Sequence, residues 1–552
     1  MPADKFMSGS QPATQRAQRR GSGLWLLAIL LLSSWAAPAM AAPDAALVTE
    51  TLRRSIEQLH VTGQVIVAGQ RLRSVRVLPE LYQQRGFTLL WTMRSNEEAM
   101  LGEIAAVSGD GLDPADYHFD ALRELLRQRN ETPDDAALAA AADLLLSDAL
   151  ARLVAHLARG KLDPRSGAPR WDLEGEVRGE AAATLLARIA TGNAVAVQLS
   201  ELRPVQPIYG RLKSMLARYR LVVERGGWPE IASGPVLQQG MEDPRVILLR
   251  RRLAQSGDFP GVVIDSPRFE PALEEALRAF QARHQLDADG RFGPATRRAI
   301  NRPVEELMGL LRANLERARW LLADVRGRLL VIDLAGQQVV LLDHSEPVAT
   351  FAAQLAPTVR ETRPLRGELR YVVVNPDWVL PTAFVASQVA PLARRAPGRF
   401  ADLGLQVFDK DGAALAPRVA DWAAPAGLIV RQLPGPGSFL GAFRFPVWPH
   451  PEVFLHGGDS VNRSLPGAVR LTDAGGLANA LASPEAGFAP QQLAAALATG
   501  TPHTFSLRRP VAVVLAPWTA WVEPSGKAFF RGGYEQADAE IIAGLARRAG
   551  AD

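Results

Sequence analysis

The 552-residue chain has no cysteine, which excludes disulfides, thiolate metal sites and thiol catalysis in one step. Histidine is scarce, with eight in all. His60, His118, His156, His284, His344 and His503 share no spacing that would gather them into a ligand set. No long block of lysine or arginine occurs. The 62 basic and 58 acidic side chains leave a net charge of +4, of which residues 1–41 hold +3 through Lys5, Arg16, Arg19 and Arg20 against Asp4. The remainder carries only +1, so nothing in the charge pattern points to nucleic acid. After the first forty or so residues no apolar run approaches the ~20 residues that cross a bilayer. What is there is a globular composition, 47% hydrophobic, over a length that suits about three domains.

At the N-terminus, Arg16, Arg19 and Arg20 precede an apolar run over 24–32, and Ala39-Met40-Ala41 supplies small residues at a cleavage position. That order predicts a Sec-type signal peptide over 1–41. The alternative is an uncleaved anchor, against which the shortness of the apolar core argues. The expected address is the periplasm or the cell wall, with no membrane span left after cleavage.

Residues 45–235 are helical by pattern. Thr132-Pro133-Asp134-Asp135 offers an N-cap at Thr132, a Pro at the first helical position and acidic residues for the helix dipole, ahead of an Ala/Leu-rich buried helix that stops at Gly160. Residues 244–303 suit three short helices. Val246, Leu249 and Leu253 line the first, which Gly257 ends; Leu273, Ala276, Leu277 and Phe280 line the second; Asp289-Gly290 and Gly293-Pro294 set the turn before the third. A connecting helix is expected over 304–322. From 323 the period changes to short β-branched runs: 328–333 and 338–343 flank a hairpin turn, 369–375 is a third run, and Pro524-Ser525-Gly526 turns another hairpin before a helix or tail over 535–552. The expected fold class is multi-domain α+β.

Several motifs carry a family resemblance. His456-Gly457-Gly458, followed by Gly467-Ala468-Val469-Arg470, resembles the catalytic signature of the L,D-transpeptidases (YkuD-type domain), in which a His-Gly pair precedes Ser-His-Gly-Cys-Val/Ile-Arg. Asn375-Pro376-Asp377-Trp378-Val379-Leu380-Pro381 and Arg431-Gln432-Leu433-Pro434-Gly435 are similar to further motifs of the large multi-domain subgroup. The segment 244–303 resembles the small peptidoglycan-binding domain of wall enzymes, and Asp110-Gly111-Leu112-Asp113-Pro114 with the stretch 78–91 resembles the subgroup's helical scaffold. The resemblance implies a scaffold domain over 45–235, a peptidoglycan-binding domain over 244–303 and a β-rich L,D-transpeptidase-like domain over 323–534. It implies peptidoglycan stem peptides or glycan as ligand, an active wall enzyme as a further partner, and neither cofactor nor metal.

The same resemblance assigns roles. His456 matches the first His of the signature, Gly467 its Gly, Ala468 the Cys nucleophile and Arg470 its Arg, while Pro466 stands at the second His. In the family a Cys thiolate attacks the stem-peptide amide, a His takes its proton, and backbone N–H groups around the Gly-Cys turn stabilise the oxyanion. Ala468 has no nucleophilic atom, and Pro466 has neither an imidazole nor an N–H. His456 and Ala468 are 12 positions apart, fewer than is usual in the family, which implies a shortened loop. The expectation is loss of thiol transpeptidation, leaving a degenerate homologue that binds or regulates the wall. The alternative is an active transpeptidase or peptidase with Ser460 or Ser464 as nucleophile beside His456. Asp459 can orient the imidazole or, with His450, bind a metal, although two His six apart with one Asp make a poor metal set. Arg470 can hold a stem-peptide carboxylate by two hydrogen bonds or serve a structural ion pair.

Overall fold

An alanine- and leucine-rich helix organises the N-terminal region of the computed structural model, which describes residues 42–344, 346–458 and 467–548. The helix spans Ala136–Arg159, is buried along nearly all its length and stops at Gly160, whose φ is +84°. A Cβ at Gly160 would lie 2.6 Å from the Trp320 indole, so only glycine admits the close crossing of that side chain. The N-cap is Asp135 and not Thr132. The Ala137 and Leu138 N–H groups donate to the Asp135 carboxylate at 2.8 and 3.0 Å. Thr132 closes the preceding helix, Phe119–Glu131, with its N–H donated to the Gln128 carbonyl, so Pro133 falls in the turn between the two helices.

A helix buried all round must pair its own polar residues. The Leu90 and Trp91 N–H groups and the Tyr82 hydroxyl donate to Asp143, and burial pushes that carboxyl up to about 6. Asp148 lies 2.8 Å from His118 Nε2 and also pairs with Arg152. Burial opposes ionisation there, but Arg152 and His118 outweigh it and hold the carboxyl well below the usual range.

Three helices follow, Arg245–Gln255, Pro271–Arg283 and Pro294–Ile300, packed around Val246, Leu249, Leu253, Leu277, Phe280 and Ile300. Gly257 is left-handed at φ +80°, as the turn after the first helix requires. His284 stacks on Phe280 at 4.1 Å and faces Phe530 of the hairpin Ala520–Val522/Ala528–Phe530, which seats this unit against the β-rich region. The next helix, Val304–Leu322, shares one core with Pro207–Glu224 on one side and with Val331, Val340 and Val514 of the β-rich region on the other. Arg317 reaches Asp538 of the C-terminal helix Glu535–Ala546 at 2.6 Å.

Eight strands close a barrel: β1 Leu329–Asp333, β2 Gln338–Asp343, β3 Glu346–Leu355, β4 Leu365–Val374, β5 Phe443–Trp448, β6 His450–His456, β7 Ala468–Leu471 and β8 His503–Ala516. Around the wall the order is β5-β6-β7-β3-β2-β1-β8-β4, and β4 pairs back onto β5. Only β6–β7 and β1–β8 are parallel. Leu341, Phe445, Leu455, Val469 and Val513 belong to the barrel core. Between β4 and β5, residues 375–442 form an insertion whose four-stranded sheet runs Ala414–Leu415, Leu405–Asp409, Leu428–Gln432, Trp378–Val379. The core of that insertion, on Trp378, Phe384, Val430 and Leu440, takes in Phe454 of β6 and Ala468 of β7. The architecture is therefore α+β, with the insertion folded over one patch of the barrel wall. Among the described residues no helix is long and apolar enough to cross a membrane.

Candidate functional site

Under the insertion, β6 and β7 place Phe454 opposite Ala468, Leu455 opposite Val469 and His456 opposite Arg470. Side chains alternate along a strand, so Leu455 and Val469 enter the barrel while Phe454, His456, Ala468 and Arg470 share its outer face. Register extends the His456 row to Arg444 on β5 and to Gln354 on β3. Beside this row opens a cleft of about 260 Å³, lined by Gln337, Gln354, Arg360, His456, Ala468 and Arg470 with Leu355 and Ala356.

Backbone geometry fixes the frame. Gly467 is left-handed at φ +74°, and a Cβ there would fall 1.5 Å from the Glu452 carbonyl oxygen. Its N–H donates to Thr358 Oγ1 at 3.0 Å. A Cβ at Gly458 would fall 1.8 Å from the Phe439 carbonyl oxygen. The Gly458 N–H donates to His456 Nδ1 at 3.1 Å, and its carbonyl accepts the Arg470 Nε–H. The His-Gly-Gly turn is thus held between its own imidazole and the arginine two strand positions beyond Ala468.

His456 is 1% exposed. Its pKa is lowered to about 4, mainly by burial and also by the Arg470 and Arg444 guanidinium groups, which the Leu440 carbonyl partly offsets. The ring is therefore neutral near pH 7, and because Nδ1 accepts a hydrogen bond the proton sits on Nε2. Arg444 is half-buried with its guanidinium 4.9 Å from the Phe454 ring, and burial lowers its pKa too. Among the described residues Arg470 makes no ion pair; it binds a backbone carbonyl.

Chemically, the described lining offers two guanidinium groups, two amides, a neutral imidazole and the methyl group of Ala468. That set can hold a carboxylate or a peptide carbonyl. It contains no thiol, hydroxyl or carboxylate. Pro466, Ser460, Ser464 and Asp459 lie outside the described residues. His450 and His456 stand at opposite ends of β6, about 20 Å apart at ~3.3 Å per residue, so His450 does not join the cleft. Its Nδ1 lies 3.4 Å from Glu452. Among the described residues no three His, Asp or Glu side chains are grouped to hold a metal ion.

The structure brings together His456, Gly467, Ala468 and Arg470, and adds residues that sequence reasoning missed: Gln337, Gln354, Arg360 and Arg444. Arg444 was out of reach too, since the register at the turn pairs Val447 with His450, and only a bulge between Pro446 and Val447 brings Arg444 opposite His456. Arg360 and Gln337 carried no local signal, because they reach the cleft from the connections after β3 and β1.

Residues 76–216 match the family model described as Scaffold domain, and residues 242–300 match the peptidoglycan binding domain model. The second match makes the chain a peptidoglycan-related protein by its binding unit. No curated protein matches the chain. Among solved structures it is similar to an L,D-transpeptidase from Xylanimonas cellulosilytica, at 14% identity over 52% of this chain and 99% of that one, with a TM-score of 0.15. It is also similar to a fused Zn-dependent amidase/peptidase/peptidoglycan-binding domain-containing protein from Clostridium acetobutylicum, at 12% identity over 51% of this chain and all of that one, with a TM-score of 0.14.

Proposed function

We propose that this is an exported peptidoglycan-binding protein whose barrel is an L,D-transpeptidase-type domain without its thiol nucleophile, and that it binds stem peptides to occupy or regulate wall sites. The observation that carries the reading is Ala468: it sits at the nucleophile position of the motif, on the strand beside neutral, buried His456, in a cleft whose two arginines suit a carboxylate. The peptidoglycan binding domain match over 242–300 supports the ligand class. The resemblance of the Gly467–Arg470 run supports the parentage of the barrel, and the 1–41 segment supports export.

The test is to incubate the purified chain with defined tetrapeptide muropeptides, analyse the mixture by mass spectrometry, and measure retention on sacculi in parallel. Retention without new products is the expected result. Cross-linked or trimmed products that disappear in His456→Ala would establish an active enzyme, with Ser460 and Ser464 the first nucleophiles to replace. Ala468→Cys alone is expected to remain inactive, because Pro466 and the short loop also depart from the family pattern. An acyl adduct on that variant by intact mass would contradict this.

A further inference from the structure

Beside the cleft lies a larger groove, about 810 Å³ against about 260 Å³, a volume typical of ligand pockets. The scaffold loop 162–167 forms one wall, the 360–364 segment between β3 and β4 another, and the stretch 532–541 with Tyr534 a third. Gln337 and Arg360 line both the groove and the cleft. Arg360 Nη2 donates to Gln337 Oε1 at 3.3 Å, and both side chains are exposed. A single solvent-facing hydrogen bond therefore stands where the two spaces meet.

The 360–364 segment continues a turn that also touches the Ala468 motif. Thr358 Oγ1 accepts the Gly467 N–H, and Arg363 donates to the Arg165 carbonyl of the scaffold loop. One short stretch thus borders the motif on one side and the groove on the other.

The two spaces differ in chemistry. The cleft presents Arg360 and Arg470 with no acidic residue in its described lining, which suits a carboxylate end. The groove has apolar lining from Leu162, Trp320, Leu334, Pro517 and Ile541, and exposed charges of both signs at Arg165, Arg363, Glu361, Glu535 and Glu540. Charges of both signs around an apolar floor suit a peptide that carries both an ammonium group and a carboxylate. They suit a sugar chain less well, since sugar recognition favours an open aromatic face, whereas the Trp320 indole N–H is held by the Leu162 carbonyl at 2.9 Å and its ring is partly buried.

We propose that the groove is a second peptide-binding site, continuous with the cleft, and that the two together take a joined pair of peptides, a cross-linked stem dimer, in preference to a single stem. This rests on the wall-binding reading of the cleft.

The test is calorimetric titration of the full chain with muramidase-released monomeric and cross-linked muropeptides, alongside sacculus retention. The dimer should bind at least ~10-fold tighter than the monomer, because its second branch is delivered at high effective concentration. Glu361→Lys and Tyr534→Ala, which lie in the groove and outside the cleft lining, should bring the dimer to within about twofold of the monomer while leaving the monomer unchanged. Glu361 is exposed, so its variant keeps the test valid even where Tyr534→Ala unfolds. Equal affinity for dimer and monomer overturns the proposal, as does a dimer advantage that Glu361→Lys leaves intact, or competition by peptide-free glycan chains. Sacculus retention with equal affinities removes this proposal alone. Absence of both retention and muropeptide binding removes the wall-binding reading as well.

Discussion

The helical region and the outer face of the barrel both gather charged side chains, and they treat them in opposite ways. In the helical region Asp148 is matched by Arg152 and His118, Asp116 by Lys161 at 2.6 Å, and Glu316 by Arg319 at 2.5 Å. These clusters neutralise themselves and have no charge to spare. On the barrel wall Arg444, Arg470 and Arg360 gather around the neutral His456 ring, with no acidic side chain in the described cleft lining. A set of charges closed on itself holds a fold together, whereas a set of one sign is completed by something from outside.

The largest effect is expected where the closed set is broken. Asp148→Ala leaves Arg152 buried without its partner and should cost about 3–5 kcal/mol in chemical denaturation, since breaking a buried pair is far more harmful than never having one. A loss below ~1 kcal/mol would end the contrast with the barrel wall.

Next in size is the acid response of His456. Its folded pKa of about 4 lies below the unfolded value of 6.5, so the unfolded chain takes up the proton first. Its contribution is therefore complete above pH 6.5 and is lost as the pH falls toward 4. The full effect is roughly 3 kcal/mol. His456→Asn should flatten the stability curve across that window; an unchanged slope would mean that another group titrates there.

Gly467→Ala should destabilise by ~2 kcal/mol or more, from the left-handed φ and the collision with the Glu452 carbonyl. Denaturant midpoints measure it, and a neutral result would show that the Gly467 turn relaxes freely. Arg360→Ala should have the smallest effect on stability, under ~0.5 kcal/mol, because the side chain is exposed and, among the described residues, bonded only to Gln337. It should nevertheless weaken muropeptide binding at least ~10-fold by titration, as loss of a charge-assisted contact would. Equal behaviour of Asp148 and Arg360 variants in both assays would erase the distinction between the two regions.

Much of the fold was legible because it rests on local pattern. The helices of 245–300 followed from apolar spacing and from Gly257, and the hairpin of β1 and β2 from two β-branched runs around a turn. Strand β3 escaped notice because its first half is exposed and starts with Glu346-Pro347, so it shows no clean alternation. The helix start at Asp135 was missed because Thr132 and Asp135 are both good caps, and only the end of the preceding helix decides between them. At the site, motif residues His456, Ala468 and Arg470 were visible. Arg360, Gln337 and Gln354 were not, since the pairing of β7 with β3 joins residues more than a hundred positions apart.

The crowding around Gly458 and Gly467 has a consequence for how such a chain can change by inheritance. At either glycine even a methyl group collides with a backbone carbonyl, so single-codon replacements there are selected against through folding, whatever the protein does. Ala468, one residue on, is a side-chain position on an ordinary strand. The identity of the side chain at 468 is therefore limited by the packing of the insertion core around it, whereas the two turns that frame it are limited by backbone contact, two separate constraints on neighbouring residues.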